Sequence, residues 1–265
     1  MSEQQNDQDF FERIANLLNQ QREMYGDFEV PRSSSEAAGT EKVVEQVHTD
    51  EPTEVSEESS DYEVTESVKE LTESEKIAAC STLEELKSVC EQSEVLKTDL
   101  PNTNLVFGVG DPAADLMIIG EAPGENEDKQ GEPFVGAAGQ LLDKILSAIN
   151  FKRSEVYIAN ILKHRPPGNR DPKPEERERS LPYLLKQIDI VDPKIILCVG
   201  RISATTLLGE DRSLKSMRQR IHKFHDRELM VTYHPAALLR NSQWKRPTWE
   251  DVQLLRKRYD QLSNS

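Results

Sequence analysis

Cysteine is scarce in this sequence. The 265 residues include three cysteines, Cys80, Cys90 and Cys198, and no two of them form a closely spaced pair. A disulfide framework is therefore not expected, and the composition favours a reducing compartment. The sequence is accordingly not that of a small disulfide-rich secreted protein.

Long apolar runs are absent as well. No stretch approaches the roughly 18 consecutive apolar residues of a membrane-spanning helix. Residues 1–5 lack the basic and apolar regions of a signal peptide. We therefore expect a soluble, cytoplasmic protein without a membrane partner. We also expect it to act as a monomer.

Basic side chains are scarce only at the front of the chain. Residues 1–100 carry 26 acidic and 8 basic side chains, out of 48 and 33 in the whole sequence. The residues that follow are therefore slightly basic. The net charge of −15 thus does not argue against a nucleic-acid partner for that part of the chain.

The front of the chain divides into two predicted segments. Residues 1–25 place apolar side chains at helical spacing, which predicts a short amphipathic helix that either docks to a protein partner or is merely tethered. Residues 26–66 are rich in Glu, Ser and Thr and poor in aromatics, which predicts a disordered acidic linker. Residues 67–265 are left as the globular domain.

The predicted domain alternates short apolar runs with helical patterns. The predicted strands cover residues 116–119, 156–159, 195–199 and 229–232. The predicted helices cover residues 64–79, 82–91, 138–149, 174–190, 202–208 and 248–262. In the second of these helices, Thr82 and Glu85 have the spacing of a capping box. This alternation predicts an α/β fold with a parallel sheet covered by helices on both faces.

The loop after the first predicted strand is dense in carboxylates. Four lie within eight residues: Glu121, Glu125, Glu127 and Asp128. Phe134 follows between glycines, which allow a ligand to approach the backbone closely. A flat ring beside hydrogen-bonding groups suits a planar polar ligand such as a nucleobase. The plainer alternatives are a solvated acidic face and a core aromatic.

The loop after the second predicted strand combines an amide with cations. Asn160 lies where the strand ends, so its side chain can meet a ligand's donor and acceptor at once, unless it only caps a turn. The cations that follow are suited to holding phosphates. They are Lys163, Arg165 and Arg170.

The loop after the last predicted strand begins with His234. Two leucines at its tip, Leu238 and Leu239, are typical of the apolar wedges that unstack bases, and nearby cations can hold a DNA backbone. These cations are Arg240, Lys245 and Arg246. The pattern predicts a DNA-probing loop, although His234 taken alone would more readily be a structural histidine.

Four motifs in this part of the sequence together resemble family 4 uracil-DNA glycosylases. They are Gly-Glu-Ala-Pro-Gly at 120–124 with Glu127 and Asp128, Pro-Phe-Val-Gly at 133–136, the stretch 160–170, and His-Pro-Ala-Ala-Leu-Leu-Arg at 234–240. The resemblance implies a three-layer α/β/α sandwich around a central four-stranded parallel sheet. It also implies a DNA repair enzyme whose partner is uracil-containing DNA, single- or double-stranded. Such an enzyme hydrolyses the N-glycosidic bond of uracil and leaves an abasic site for base excision repair.

The resemblance implies three residues that contact the base. Phe134 would stack on the flipped uracil, and Asn160 would read its Watson–Crick edge. His234 would donate a hydrogen bond to uracil O2 as negative charge builds there.

Other motif residues would act at the mouth of the pocket. Glu121 and Ala122 would line that mouth, Ala122 through its backbone. Glu127 and Asn169 would act on the attacking water and the sugar. Either of the two leucines at 238 and 239 would fill the gap that the base leaves in the DNA.

One family feature is missing from the sequence. Members of this family usually hold a [4Fe-4S] cluster on four cysteines. The matching positions here read Cys90, Ser93, His164 and Ser180. One thiolate cannot hold the cluster, so we expect a cluster-free member with no metal and no other cofactor.

Two other classes of function fit parts of the pattern. The carboxylates at 121, 125, 127, 128 and 171 could bind Mg²⁺ in a phosphoryl hydrolase, which EDTA would inactivate. A non-catalytic protein could instead bind damaged DNA and leave no abasic site. No lysine is placed as an obvious Schiff-base nucleophile, so we expect a monofunctional hydrolase that does not cleave the strand.

Overall fold

A computed structural model describes residues 71–263 of the protein. The predicted amphipathic helix at 1–25 and the predicted linker at 26–66 lie outside the described residues. Both remain predictions, as does the start of the domain at residue 67. Among the helices of residues 71–263, none combines the length and the apolar character that crossing a membrane requires.

Six strands and nine α-helices make up the described residues. The strands are β1 (Val109–Gly110), β2 (Leu116–Gly120), β3 (Tyr157–Asn160), β4 (Ile195–Val199), β5 (His222–Phe224) and β6 (Arg227–Thr232). The helices are α1 (Glu73–Ala79), α2 (Leu83–Gln92), α3 (Glu125–Gln130), α4 (Ala137–Ala148), α5 (Pro174–Val191), α6 (Arg201–Leu208), α7 (Leu214–Met217), α8 (Pro235–Arg240) and α9 (Lys245–Ser263). Helix α2 begins with the predicted capping box of Thr82 and Glu85.

The four predicted strands are the inner strands of one sheet with the order β1-β3-β2-β4-β6-β5. Neighbouring inner strands are parallel, and Ile118 of β2 lies opposite both Ile158 of β3 and Leu197 of β4. The predicted parallel sheet is therefore confirmed. The expected count of four strands is wrong, because β1 and β5 add antiparallel pairs at the two edges.

The two edge strands are too short to leave a periodic pattern in the sequence. Strand β1 has two residues, and β5 has three. A tight turn joins β5 to β6 at His225, whose φ is +51°. His222 is the first residue of β5.

Side chains of the inner strands alternate between two cores. In β2, Met117 and Ile119 pack into the core that includes α1, α2, α5 and α6, whereas Leu116 and Ile118 pack into the core that includes α4 and α9. The alternation follows from the two-residue period of a strand. Helices thus cover both faces of the sheet, and the three-layer α/β/α class is confirmed.

Two stretches that were expected to be loops contain helices. Residues 125–130 form α3, so Glu127 lies on a helix. Residues 235–240 form α8, whose N-cap is His234. Pro235 favours this start because the N–H that proline lacks would have no intrahelical partner. The predicted DNA-probing loop is therefore a short helix at the end of β6.

Candidate active site

The loops that leave the carboxyl ends of β2, β3 and β6 meet at one cavity of about 330 Å³. Open α/β sheets place their ligands at this edge. The cavity is lined by Glu121, Ala122, Pro123, Gly124, Glu127, Phe134, Ala138, Asn160, Pro166, Asn169, Arg170, Asp171, His234, Ala236 and Arg240. Nine of the predicted site residues thus lie together, because parallel strands bring loops that are distant in sequence to the same edge.

Phe134 forms one wall of the cavity from an unusual backbone conformation. Its φ is +54°, in the left-handed region that bulky residues rarely adopt. The carboxylate of Glu127 fixes this segment by accepting hydrogen bonds from the N–H groups of Val135 and Gly136, both at 3.0 Å. Gly139 allows α4 to approach, because a Cβ there would lie 1.7 Å from the Phe134 carbonyl oxygen. The ring is therefore held in place before any ligand binds.

Asn160 contributes a buried acceptor near this ring. Its side chain is 2% exposed, and its Oδ1 accepts no hydrogen bond from residues 71–263. Gly120 leaves room for both side chains, because a Cβ there would lie 2.3 Å from Asn160 Oδ1 and 2.6 Å from Phe134 Cζ. An unpaired buried acceptor is costly. Its position in a cavity wall indicates a ligand that supplies an N–H group.

His234 contributes a neutral imidazole. Its Nδ1 accepts a hydrogen bond from the N–H of Ala236 at 3.2 Å, so the proton of the neutral ring lies on Nε2. Burial, assisted by the charge of Arg240, lowers the pKa of His234 to about 4. Its ring centroid lies 5.5 Å from that of Phe134. At neutral pH the ring therefore offers a hydrogen-bond donor to the cavity without carrying charge.

Glu121 is a carboxylic acid with a raised pKa. Burial, together with the nearby charge of Asp171, raises the pKa of Glu121 to about 7, while Arg177, Arg201 and Arg240 oppose the shift. Its charge therefore changes near neutral pH. Displaced pKa values of this kind concentrate at functional sites.

Arginines hold the loop that follows β3. The Nε of Arg165 donates to Asn169 Oδ1 at 2.7 Å, which leaves the amide N–H groups as the donors that Asn169 can offer to a ligand. Arg170 donates to both carboxylate oxygens of Glu176, at 2.8 and 2.7 Å, and approaches Asp99 at 3.3 Å. These contacts stabilise the loop, and the phosphate contacts expected of the two arginines remain predictions.

Lys163 does not lie where a phosphate contact requires it. The residue is fully buried, and its ammonium donates to the backbone carbonyls of Phe107 and Asn160 and to the side chain of Gln187. A phosphate cannot reach a group inside the core. The expected DNA contact of Lys163 is therefore wrong, because the lysine chain folds inward from the loop.

The two candidate wedge leucines differ in exposure. Leu238 is 2% exposed and cannot contact DNA, so its expected DNA contact is wrong, whereas Leu239 is 53% exposed. Adjacent residues of a helix differ in direction by about 100° around its axis, and α8 buries Leu238 while it leaves Leu239 exposed. Lys245 and Arg246 are exposed at the start of α9, and their contact with DNA remains a prediction.

Small residues around the cavity were missed in the sequence. Ala138 and Ala236 line the cavity. Gly200 packs against His234, because a Cβ there would lie 3.4 Å from the His234 Cβ. Each is a small residue close in sequence to a predicted strand end or motif residue. This combination could have predicted that these residues border the cavity.

At three of the four positions of the family's cluster the side chain forms a hydrogen bond, and the fourth, Cys90, is a buried free cysteine. Ser93 Oγ lies 2.6 Å from the Tyr183 hydroxyl, His164 Nδ1 lies 3.0 Å from Thr103 Oγ1, and Ser180 donates to the Ile161 carbonyl at 2.7 Å. Within residues 71–263, no group of three or more His, Cys, Asp or Glu side chains could hold a metal ion. These side chains do not supply the thiolates that a [4Fe-4S] cluster needs.

The site and the fold agree with the comparisons with known proteins. A family model described as the uracil DNA glycosylase superfamily matches residues 107–253. The type-4 uracil-DNA glycosylase of Sulfurisphaera tokodaii is 42% identical over 184 residues, which cover 66% of this chain and 84% of that protein. The corresponding protein of Archaeoglobus fulgidus is 40% identical over 158 residues, covering 57% and 78%. That of Thermotoga maritima is 37% identical over 180 residues, covering 65% and 94%.

The fold is thus an α/β/α sandwich, and the cavity at its strand ends combines an aromatic wall, a buried amide and a neutral imidazole. The chain is also similar to glycosylases over most of their length. The chain belongs to the uracil DNA glycosylase superfamily and, within it, to the type-4 family. The resemblance expected from the four motifs is confirmed.

Proposed function

We propose that the chain excises uracil from DNA in the cavity formed by Phe134, Asn160 and His234. It is a DNA repair enzyme that hydrolyses N-glycosyl bonds, as its family membership implies. The observation that carries the residue assignment is the buried Oδ1 of Asn160, which has no hydrogen-bond donor within residues 71–263.

Base recognition follows from complementary donors and acceptors. The N3–H of uracil donates to Asn160 Oδ1, and the amide N–H₂ of Asn160 donates to uracil O4. Cytosine presents a lone pair at N3 and an amino group at the position of O4, so both contacts become repulsive. Phe134 stacks against the flipped base and offsets part of the cost of removing it from the duplex.

Bond breaking produces charge of both signs, and the cavity matches each of them. The C1′–N1 electron pair leaves with uracil, and the Nε2–H of His234 stabilises the negative charge that appears on O2. The neutral state of His234 follows from its lowered pKa. An ionised Glu121 stabilises the positive sugar. Water adds to C1′, and the proton that it loses neutralises the uracil anion. Among the described residues, those that line the cavity include no lysine that could form a Schiff base with the sugar, so we expect hydrolysis without strand cleavage.

Glu127 and Asn169 complete the sugar side of the cavity. Both oxygens of Glu127 accept backbone N–H groups, from Gly124 at 3.1 Å and from Val135 and Gly136. Glu127 thus holds the Phe134 segment in addition to facing the attacking water. Asn169, held by Arg165, is placed to donate to the sugar or the water.

DNA binding extends from the cavity along α8 and α9. Leu239 is the exposed leucine that fills the gap left by the base. Arg240 lines the cavity, and Lys245 and Arg246 are exposed for phosphate contacts. Ala122 borders the cavity mouth, where a larger side chain would narrow the entrance.

One assay tests the activity against its alternatives. The full chain is incubated in EDTA with single-stranded and duplex oligonucleotides that carry one uracil, and abasic sites are then cleaved with alkali. We expect cleavage at the uracil position only, and none in matched cytosine oligonucleotides. Activity that EDTA abolishes would instead support the phosphoryl hydrolase, and a gel shift without an abasic site would support the non-catalytic binder.

We also propose that the enzyme acts without an iron–sulfur cluster. The proposal is supported by the donor set at the four family positions, where Cys90 is accompanied by two serines and a histidine. Iron analysis and the visible absorbance of anaerobically purified protein provide the test. Four irons per chain would contradict it. A monomeric state, a cytoplasmic location and a protein partner for residues 1–25 remain predictions.

A further inference from the structure

Lys163 is a fully buried lysine that the proposed reaction does not use directly. Its ammonium donates to the Asn160 carbonyl at 3.0 Å, to the Phe107 carbonyl at 3.3 Å and to the side-chain oxygen of Gln187. A lysine ammonium has three N–H donors. All three are therefore used, and one of them binds the residue that reads uracil.

The surroundings of Lys163 fix it in this position. Gln187 donates from its side chain to the Phe107 carbonyl at 3.0 Å and to the Tyr157 hydroxyl at 3.2 Å. Burial lowers the pKa of Lys163 to about 7, and none of the ion pairs within residues 71–263 includes it. Burying an amine without a carboxylate partner is costly. An apolar residue of similar length would avoid that cost but would leave the carbonyls of Phe107 and Asn160 without this donor.

The lysine replaces strand pairing at the point where β1 stops. In the register of the two strands, Val109 lies opposite Ile158. If the pairing continued, residue 107 would lie opposite residue 160. The ladder ends before that point, and the ammonium instead bridges the carbonyls of Phe107 and Asn160. The end of β3 is thus held on this side by a side chain.

We propose that Lys163 is a positioning residue for uracil recognition, which holds the peptide of Asn160 so that the amide side chain keeps the orientation needed by N3–H and O4. This inference rests on the proposed function. It assigns Lys163 to the pocket through Asn160, and not to the DNA backbone.

Ser180 provides a matched control on the same segment. It is buried, and its hydroxyl donates to the carbonyl of Ile161 at 2.7 Å, one peptide beyond Asn160. Ser180→Ala removes a buried hydrogen bond to the same stretch of backbone but leaves the Asn160 carbonyl bound. A general loosening of the segment would therefore affect both variants alike.

The test is a double-mutant cycle between Lys163 and Asn160, measured as single-turnover release of 5-fluorouracil from duplex DNA. Fluorine stabilises the departing anion and keeps weakened variants measurable. We expect Lys163→Met to lower the rate about tenfold in the wild-type background. In the Asn160→Ala background it should lower the rate less than about twofold, because the residue through which it acts is already lost. Ser180→Ala should have the same small effect in both backgrounds.

The outcomes separate this inference from the proposed function. Equal losses for Lys163→Met in both backgrounds, or no loss in either, overturn the inference alone. A wild-type protein that releases neither 5-fluorouracil nor uracil overturns the proposed function and the inference with it. If Lys163→Met does not fold, Gln187→Met removes one acceptor of the ammonium, and the same non-additivity with Asn160→Ala is expected.

Discussion

Two polar regions on either side of the end of β3 differ in how their hydrogen bonds are satisfied. In the cavity, Asn160 Oδ1 is buried without a donor from the described residues, and His234 is kept neutral by burial. At the family's cluster positions, Ser93, His164 and Ser180 each have a hydrogen-bond partner. An unpaired buried acceptor in a cavity wall is what a ligand with an N–H group would satisfy, whereas buried polar groups that are already paired fit a structural role.

The largest effect on activity is expected from substitutions of the cavity residues. Asn160→Ala and His234→Ala should each lower single-turnover uracil release by about 10²-fold or more, because each removes a contact that strengthens as the base departs. The rate is measured with saturating enzyme, and circular dichroism checks that each variant is folded. Near-wild-type rates in both variants would show that the pocket is wrongly assigned.

The ionisation of Glu121 should make the rate of uracil release depend on pH. Its pKa is raised to about 7, so the fraction ionised, and with it the single-turnover rate, should rise about tenfold between pH 6 and pH 8. Glu121→Gln should remove this rise. An unchanged pH profile in the variant would exclude Glu121 as its source.

The same ionisation has an opposite effect on stability. The folded-state pKa of Glu121 lies above the unfolded value, so the folded protein binds more protons and loses stability as pH rises from about 4.5 to about 7. Glu121→Gln should therefore raise the melting temperature relative to the wild type at pH 8 and not at pH 4.5. Differential scanning calorimetry at the two pH values measures this difference.

Sequence periodicity could predict the inner strands and the convergence of Phe134, Asn160 and His234, because parallel strands place their following loops at one edge. It could not predict that Lys163 turns inward, since a lysine in a basic loop has the same pattern whether it meets phosphate or buried carbonyls. Helix α8 was missed for a related reason. Its six residues are too few to show helical periodicity, and only the proline after His234 marked its start.

Substitutions near the family's cluster positions should affect stability and not catalysis. Tyr183 donates to Glu73 and accepts from Ser93, which joins α1 and the end of α2 to α5. Tyr183→Phe leaves the buried Ser93 hydroxyl without this partner, so we expect a loss of about 1–2 kcal/mol in the free energy of unfolding. Urea denaturation measures this loss, and uracil release at 25 °C should stay within about twofold of the wild type.

Tyr259 provides the control for that substitution. Its ring packs edge-on against Phe151 with a centroid distance of 4.8 Å. Tyr259→Phe keeps this packing and should change the unfolding free energy by less than about 0.5 kcal/mol. Equal losses in the two variants would mean that the Ser93–Tyr183–Glu73 contacts do not stabilise the fold in particular.

The smallest expected effect concerns the front of the chain. None of the residues that line the cavity precedes Glu121, and the first helix cap among the described residues is Thr72. Removing residues 1–66 takes away neither the cavity nor the side chains at the family's cluster positions, so the single-turnover rate on a short uracil oligonucleotide should change less than about twofold. A large loss would mean that the acidic segment contacts DNA or the cavity. In that case the cavity and the side chains at the family's cluster positions would not be enough to explain the activity of the whole chain, because the acidic segment would contribute to it as well.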